Sequence, residues 1–260
     1  MKKFFDIAVK AARESGRIQI ERSKHIGEVR CKGDINLVTE VDLLCEKTIK
    51  EIILKEFPGH SFLGEEGGEG GAANAPFKWI VDPLDGTTNY AHGFPVYCTS
   101  IALEAEGTVA LGVVFDPTRN ELFTTERGKG AFLNGERISV TQRENLIECL
   151  LATGFAYDVR DTKVDNIENF TRFIKRARAV RRPGSAALDL CYVASGRLDG
   201  YWEMKLRPWD SAAGHLLVIE AGGKVTLFDG SEYSIYTPEI LASNGRVHDS
   251  MVEILTRTKS

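Results

Sequence analysis

Asp82 and Asp85 flank Pro83-Leu84 within WIVDPLDGTTNY, the segment from Trp79 to Tyr90. Proline disfavours helical geometry at the residue before it, so Asp82 is expected in extended backbone at a strand end. Two carboxylates leaving that end three residues apart can converge on one place. Gly86-Thr87-Thr88 follows at once, with a flexible glycine, two hydroxyls and free backbone N–H groups. A short helix starting there would aim its N-terminus at a phosphate. Carboxylates and phosphate repel unless cations lie between them. Hard oxygen ligands beside a phosphate are what Mg²⁺ takes, and two such ions can stabilise both the attacking and the leaving oxygen. The chemistry indicated is metal-assisted hydrolysis of a phosphate ester. The structural alternative is a plain turn, since Asp-Pro and Asp-Gly are common turn dipeptides.

Other acids extend the set. Glu65 and Glu66 follow a short strand, where solvated charge at a loop edge is the alternative reading. Asp210 lies in the first turn of a helix behind Pro208, a place the helix dipole favours without any metal. Asp42 stands three residues after Thr39, close to a capping-box pattern.

Competing chemistries are poorly served. Cys191 and Arg197 have the Cys-x5-Arg spacing of cysteine phosphatases, but Cys191 sits in the helical run Ala186, Ala187, Leu190, Cys191, Ala194, where a core thiol fits better. His25, His60, His92, His215 and His248 show no zinc-hydrolase spacing, and His215 reads as a packed helical residue. No GxxxxGK phosphate loop accompanies the glycines after Gly64, and Asp82-Pro-Leu-Asp85 has the wrong spacing for a DxD nucleophile.

The elements that must position these groups follow from periodicity. Phe4, Ile7, Ala8, Ala11 and Ile18 define an opening amphipathic helix. A second helix begins after Thr39, with Val41, Leu44, Cys45, Thr48 and Ile52 expected inward, and stops at Phe57-Pro58-Gly59. Ser61 to Leu63 is a short strand, Gly67 to Pro76 is expected as a mobile surface loop, and Lys78 to Val81 is strand-like. Several short strands fill Tyr97 to Val140, with a hairpin signal at Asn134-Gly135. The second half predicts strands at Cys149–Thr153, Leu198–Glu203, Lys224–Leu227 and Ile240–Ala242. Helices are expected at Asp165–Arg176, Ser185–Ala194, from Pro208-Trp209 and after Asn244-Gly245. Helices and strand groups alternate in both halves, which predicts stacked layers.

Composition sets the bounds. The 260 residues are 43% hydrophobic and 27% charged, enough to bury a sizeable core. A net charge of −4 gives no basic field, so nucleic acid is not expected as a partner. Five scattered cysteines (Cys31, Cys45, Cys98, Cys149, Cys191) read as reduced thiols. Neither a signal peptide nor an apolar run of about 18 residues is present, so a soluble, cytoplasmic protein is expected with no membrane partner.

WIVDPLDGTTNY and RPWDSAAG (Arg207 to Gly214) resemble the two signatures of the inositol monophosphatase family. NLVTEVD (Asn36 to Asp42), GEE (Gly64 to Glu66) and GSAALDLCYVASGRLDGYWE (Gly184 to Glu203) stand in the family's order, and the resemblance covers essentially the whole chain. It implies an α+β fold, a layered α-β-α-β-α sandwich of the inositol monophosphatase/fructose-1,6-bisphosphatase type. One phosphatase domain over 1–260 is expected, with lobes of about 1–145 and 146–260, in a homodimer.

By matching positions, the resemblance gives a first Mg²⁺ to Glu65, Asp82 and the Leu84 carbonyl, and a second to Asp82, Asp85 and Asp210. A weaker third ion contacts Glu65 through solvent. Mn²⁺ is the expected substitute, with Li⁺ and Ca²⁺ inhibitory. Gly86 and Thr87 would offer N–H groups to the phosphate. Glu65 and the Thr87 hydroxyl would orient the attacking water, and Asp42 would support its network. Asp85, Gly184, Ser185, Ala186, Glu203 and Asp210 would face the substrate. Inositol 1-phosphate is the default substrate. Fructose 1,6-bisphosphate (or both, in a dual enzyme), histidinol phosphate and 3'-phosphoadenosine 5'-phosphate are alternatives, as is a regulatory binding protein on the same fold. Arg181-Arg182-Pro183, Lys205, Arg207 and Pro208 depart from the animal enzymes, which bears on alcohol specificity and leaves the metal positions untouched.

Overall fold

The computed structural model describes residues 1–23, 29–32, 36–73 and 75–256, and of 29–32 and 36–39 the backbone alone. His25 and the side chains of Cys31 and Thr39 therefore lie outside the described residues. Helix α1 (Lys2–Ser23) and helix α2 (Glu40–Glu56) pack on each other, with the antiparallel hairpin β1 (Val29–Lys32) and β2 (Asn36–Thr39) between them in sequence. The expected face of α1 turns inward: Ala8, Ala11 and Ile18 are buried, with Phe4 and Ile7 half-buried beside them. In α2 the buried stripe is Val41, Cys45, Ile49 and Ile53, while Leu44, Thr48 and Ile52 only flank it. A repeat of four keeps the stripe on one face of a 3.6-residue helix. It also carries Asp42 and Glu46 inside.

An eight-stranded sheet follows. Its strands are β3 (Ser61–Gly64), β4 (Gly68–Gly71), β5 (Phe77–Asp85), β6 (Cys98–Ala105), β7 (Thr108–Asp116), β8 (Glu121–Glu126), β9 (Ala131–Leu133) and β10 (Glu136–Ile138). Their order is β10-β9-β8-β7-β6-β5-β3-β4, antiparallel except where β3 runs parallel to β5. Asn134 and Gly135 form the two-residue β9–β10 turn with φ of 51° and 87°, the double positive φ of a type I′ hairpin. The stretch expected as a loop from Gly67 to Pro76 contains β4, which pairs Gly68 to Gly71 with β3 at the sheet edge. Backbone pairing of glycines leaves no side-chain period to read, which is why the sequence signal fails there.

The second sheet has five strands: β11 (Leu150–Thr153), β12 (Ala179–Arg181), β13 (Gly200–Met204), β14 (Lys224–Thr226) and β15 (Glu239–Ser243), in the order β12-β11-β13-β15-β14. The remaining helices are α3 (Thr87–Ala91), α4 (Ile167–Ile174), α5 (Ala186–Ala194), α6 (Pro208–Glu220) and α7 (His248–Thr256).

Period-two alternation sorts the core into layers. In β5 and β6, Trp79, Val81, Ile101 and Leu103 face α1 and α2, while Ile80, Cys98 and Ala102 face the opposite cluster with α5 and α6. In the small sheet, Tyr201, Ile240 and Ala242 meet that same central cluster. Trp202 and Leu241 point the other way, with Trp202 stacked on Phe173 of α4 at 4.0 Å and α7 beside it. The order is α1/α2, large sheet, α5/α6, small sheet, α4/α7: the expected α-β-α-β-α stack of an α+β fold. Close approach of the middle layer is set by Gly112, where a Cβ would stand 2.9 Å from the Ala213 carbonyl of α6.

Candidate active site

The two aspartates of β5 converge because the strand is irregular. In a regular strand, residues three apart face opposite sides of the sheet. Against β6, however, Asp82 pairs with Ser100 and Asp85 with Cys98, a three-residue advance against two. This bulge re-aims the later side chain and puts both carboxylates on the same side. Pro83 sits in the bulge, where no N–H is needed. Its carbonyl accepts from Gln19 Nε2 (2.8 Å), Thr99 Oγ1 (3.1 Å) and Ser15 Oγ (3.3 Å), so buried α1 residues fix the irregularity.

The chain then turns at Gly86, whose φ of 97° suits glycine. A Cβ there would also lie 2.8 Å from the Val96 carbonyl. Helix α3 follows at once. The Thr87 hydroxyl lies 2.9 Å from Asp42 Oδ1 and 3.0 Å from the Leu84 carbonyl, either of which can accept its single proton. Asp42 is buried. Glu46, one helical turn on, accepts from the N–H groups of Glu66 (2.8 Å) and Gly67 (2.7 Å), fixing the loop that carries Glu65.

Behind these groups opens a cavity of about 510 Å³. Glu65, Asp85, Gly86, Gly184, Ser185, Ala186, Glu203 and Asp210 all line it. Asp82, Leu84, Thr87 and Asp42 do not. They are buried, Asp82 close enough to Glu65, Asp85 and Asp210 to feel their charges. Asp85 Oδ2 accepts from Ser185 Oγ at 2.6 Å and from the Ala187 N–H at 2.7 Å, so the turn before α5 orients this carboxylate. Ser185 also caps α5 through the Leu188 N–H, which gives its hydroxyl a structural task. Gly184 holds φ 90° in that turn, which Asn89 Nδ2 ties to β5's side by bonding the Pro183 carbonyl at 2.9 Å. Asp210 Oδ2 accepts the Arg207 N–H at 2.6 Å in a capping box. The capping reading of Asp210 and its place in the cavity are thus both true.

Electrostatics mark the same cluster. Burial, then Glu65, Asp85 and Asp210, push the Asp82 carboxyl well above the usual range. Burial raises Asp85 to about 6 against the hydrogen bonds from Ser185 and Ala187, and raises Asp210 against its cap bond. Glu203 is pushed to about 7, chiefly by burial, with the Tyr201 hydroxyl bond opposing. Among the described residues no Lys or Arg forms an ion pair with Asp82, Asp85 or Asp210. Crowded carboxylates without cationic partners are relieved by a divalent ion, and an all-oxygen donor set suits a hard one. Among the described residues no three Asp, Glu, His or Cys side chains are placed together closely enough to hold a metal ion as they stand. The donor chemistry fits a hard divalent ion; the shell is not closed in advance.

The rival chemistries find no support here. Cys191 is buried in α5, and burial raises its thiol well above the ordinary value, the opposite of an activated nucleophile. None of His60, His92, His215 and His248 lines the cavity. His215 is packed against Tyr233 with Nδ1 3.3 Å from the Ser211 carbonyl, and burial lowers it to about 4. Arg182, from the run that the sequence linked to alcohol specificity, lines the cavity, while sequence reasoning missed the wall of Gly154 to Asp158 and Asp189. Only the acid inside an apolar helix, Asp189, carried a visible signal.

The family model described as the inositol monophosphatase family matches residues 1–259. An inositol-1-monophosphatase of Synechocystis is 43% identical over 256 residues, covering 98% of this chain and 89% of that one. A Pseudomonas aeruginosa protein named Nus factor SuhB is 43% identical over 261 residues, covering 97% and 95%. The solved inositol monophosphatase of Anabaena superposes with a TM-score of 0.91 at 43% identity, over 99% of this chain and 97% of that one. Among the described residues no helix is long and apolar enough to cross a membrane. The chain belongs to the inositol monophosphatase family, a class of phosphatase hydrolases whose members are generally metal-dependent.

Proposed function

We propose that the chain is a Mg²⁺-dependent phosphomonoesterase that hydrolyses myo-inositol phosphate to inositol and phosphate by direct attack of water. The observation that carries this reading is the meeting of Glu65, Asp85 and Asp210 with the Gly184–Ala186 turn and Glu203 in one cavity, with Asp82 buried close by. Glu65, Asp82 and the Leu84 carbonyl would hold one ion, and Asp82, Asp85 and Asp210 a second, with a weaker third beside Glu65. When bound, the ions neutralise phosphoryl charge and favour ionisation of water.

The chain's own groups do the rest. Gly86 and Thr87 offer N–H groups at the turn into α3, where a phosphate oxygen is stabilised. The Thr87 hydroxyl, backed by Asp42, stands with Glu65 to orient the attacking water and hold its proton. Ser185 and Ala187 keep Asp85 turned toward the cavity, and Glu203 accepts a hydroxyl of the alcohol. No covalent phosphoenzyme is needed, since positioning and electrostatics supply the barrier reduction.

Two other readings have specific support. Arg182, Lys205 and Arg207 line the same cavity, which favours an anionic second group such as that of fructose 1,6-bisphosphate. Similarity to a protein named Nus factor SuhB favours a regulatory binding role on the same fold. Phosphate release with Mg²⁺ and with chelator separates catalysis from binding alone. The decisive panel compares kcat/KM for inositol 1-phosphate, fructose 1,6-bisphosphate, histidinol phosphate and 3'-phosphoadenosine 5'-phosphate. Absence of Mg²⁺-dependent turnover on all four would sink the enzymatic reading.

A further inference from the structure

Asp189 is the one acid in α5, a helix otherwise built from AAL and LCYVA, and it is only 1% exposed. Its N–H bonds the Ser185 carbonyl at 3.0 Å, one turn back. Residues four apart share a helix face, so Asp189 points the same way as Ser185, and both line the cavity. Among the described residues its buried Oδ1 has no hydrogen-bond partner. Buried polar atoms in folded proteins are nearly always bonded, and one left alone is costly. Leucine would serve packing better at this position.

We propose that Asp189 is a second carboxyl that reads the hydroxyl groups of the substrate's alcohol portion beside Glu203. This rests on the reading of the cavity as a polyol phosphate site. Glu203 already takes the Tyr201 hydroxyl, which leaves the unpartnered Asp189 oxygen to meet a further hydroxyl. The two acids feel each other's charge, and Arg182 on the same wall offsets part of it. Burial, with Glu203 and Asp85, holds Asp189 well above the ordinary carboxyl range, so the group is able to donate as well as accept. Two carboxyls that can both donate and accept are matched to the neighbouring hydroxyls of a polyol, so the site favours a polyol over an alcohol that has no hydroxyl at that spot.

The test compares wild type, Asp189→Leu and Asp189→Asn on inositol 1-phosphate and on p-nitrophenyl phosphate, with calorimetric titration of myo-inositol alongside. Asp189→Leu is expected to raise KM for inositol 1-phosphate about tenfold, the loss of roughly one hydrogen bond, and to weaken myo-inositol as much. Its kcat/KM for p-nitrophenyl phosphate stays at the wild-type value, and its melting temperature is unchanged or higher. Asp189→Asn, with donor and acceptor retained, stays near wild type on both. An unchanged KM in Asp189→Leu, or equal losses on both phosphates, overturns the assignment. So does a wild-type protein that does not bind myo-inositol. A wild type that binds myo-inositol through Asp189 yet releases no phosphate overturns the enzymatic reading alone.

Discussion

The hydroxyl of Thr87 stands 2.9 Å from the buried Oδ1 of Asp42, joining helix α2 to the turn that follows the two aspartates of β5. As the threonine hydroxyl accepts a proton from water, it can pass its own proton on to this carboxylate. Thr87→Val keeps the shape and removes the hydroxyl, so it is expected to lower kcat by about a hundredfold or more. Thr87→Ser should stay within a few-fold. If the two residues act as a unit, adding Asp42→Asn to Thr87→Val costs little more than either change alone. Additive losses would show that they act separately.

Asp82 is a crowded carboxylate, raised by burial and by three acidic neighbours. Asp82→Asn is expected to cost roughly a thousandfold in kcat. The same change removes buried repulsion, so the folded protein in chelator melts no lower than wild type. Mg²⁺ should raise the melting temperature of wild type, by about 2.7 kcal/mol of stabilisation at a hundred times Kd, and leave the variant unmoved. Turnover near wild type in Asp82→Asn would defeat the proposed ligand set.

Glu203 links stability to pH. Its ordinary value of 4.5 holds in the unfolded chain, while burial lifts it to about 7 in the fold. The folded state binds this proton more tightly, so the group's favourable contribution is complete below about 4.5 and lost as pH climbs through 7. In chelator, the melting temperature of wild type should therefore decline between about pH 5 and 8, and Glu203→Gln should flatten that decline. Parallel curves for the two proteins would mean that Glu203 titrates as if exposed.

Cys191 offers the contrast of a suggestive spacing with no chemistry behind it. Its thiol is buried and held protonated. Cys191→Ser is expected to retain turnover while losing about 1–2 kcal/mol of stability, because a hydroxyl replaces a core sulfur. A thousandfold loss of turnover in a folded Cys191→Ser would revive the cysteine route.

Local chemistry made part of this molecule readable from residues alone. Pro83 announced the strand end at Asp82, and Asn134-Gly135 announced its hairpin. Pro208 announced the helix that carries Asp210. What escaped was whatever depends on contacts distant in sequence. The bulge that brings Asp85 round to Asp82 is fixed by Ser15, Gln19 and Thr99, none of which carries a periodic signal. Strand β4 is glycine except for Glu69, and its pairing is all backbone. Glu46 is one charge among several on α2 with no mark of its own in the sequence, yet it anchors the Glu66–Gly67 turn from inside. Burial of an acid inside a helix, as at Asp189, is visible in sequence only as an interruption of apolar residues.

Gly154 supplies the sharpest test of the alcohol side of the cavity. It lies just past β11, directly under the carboxylate of Glu203, which a Cβ at this position would strike. Its φ lies outside the positive range, so alanine costs little backbone strain and acts through the clash alone. Glu203 would have to swing away and give up the Tyr201 hydroxyl. Gly154→Ala is therefore expected to raise KM for inositol 1-phosphate about tenfold or more, the loss of one charged hydrogen bond or more. Hydrolysis of p-nitrophenyl phosphate, which presents no polyol to Glu203, should change far less. Combining Gly154→Ala with Glu203→Ala relieves the clash, so the double variant should be no worse than Glu203→Ala alone. If the two changes instead add, Gly154 serves the cavity by some route other than seating Glu203.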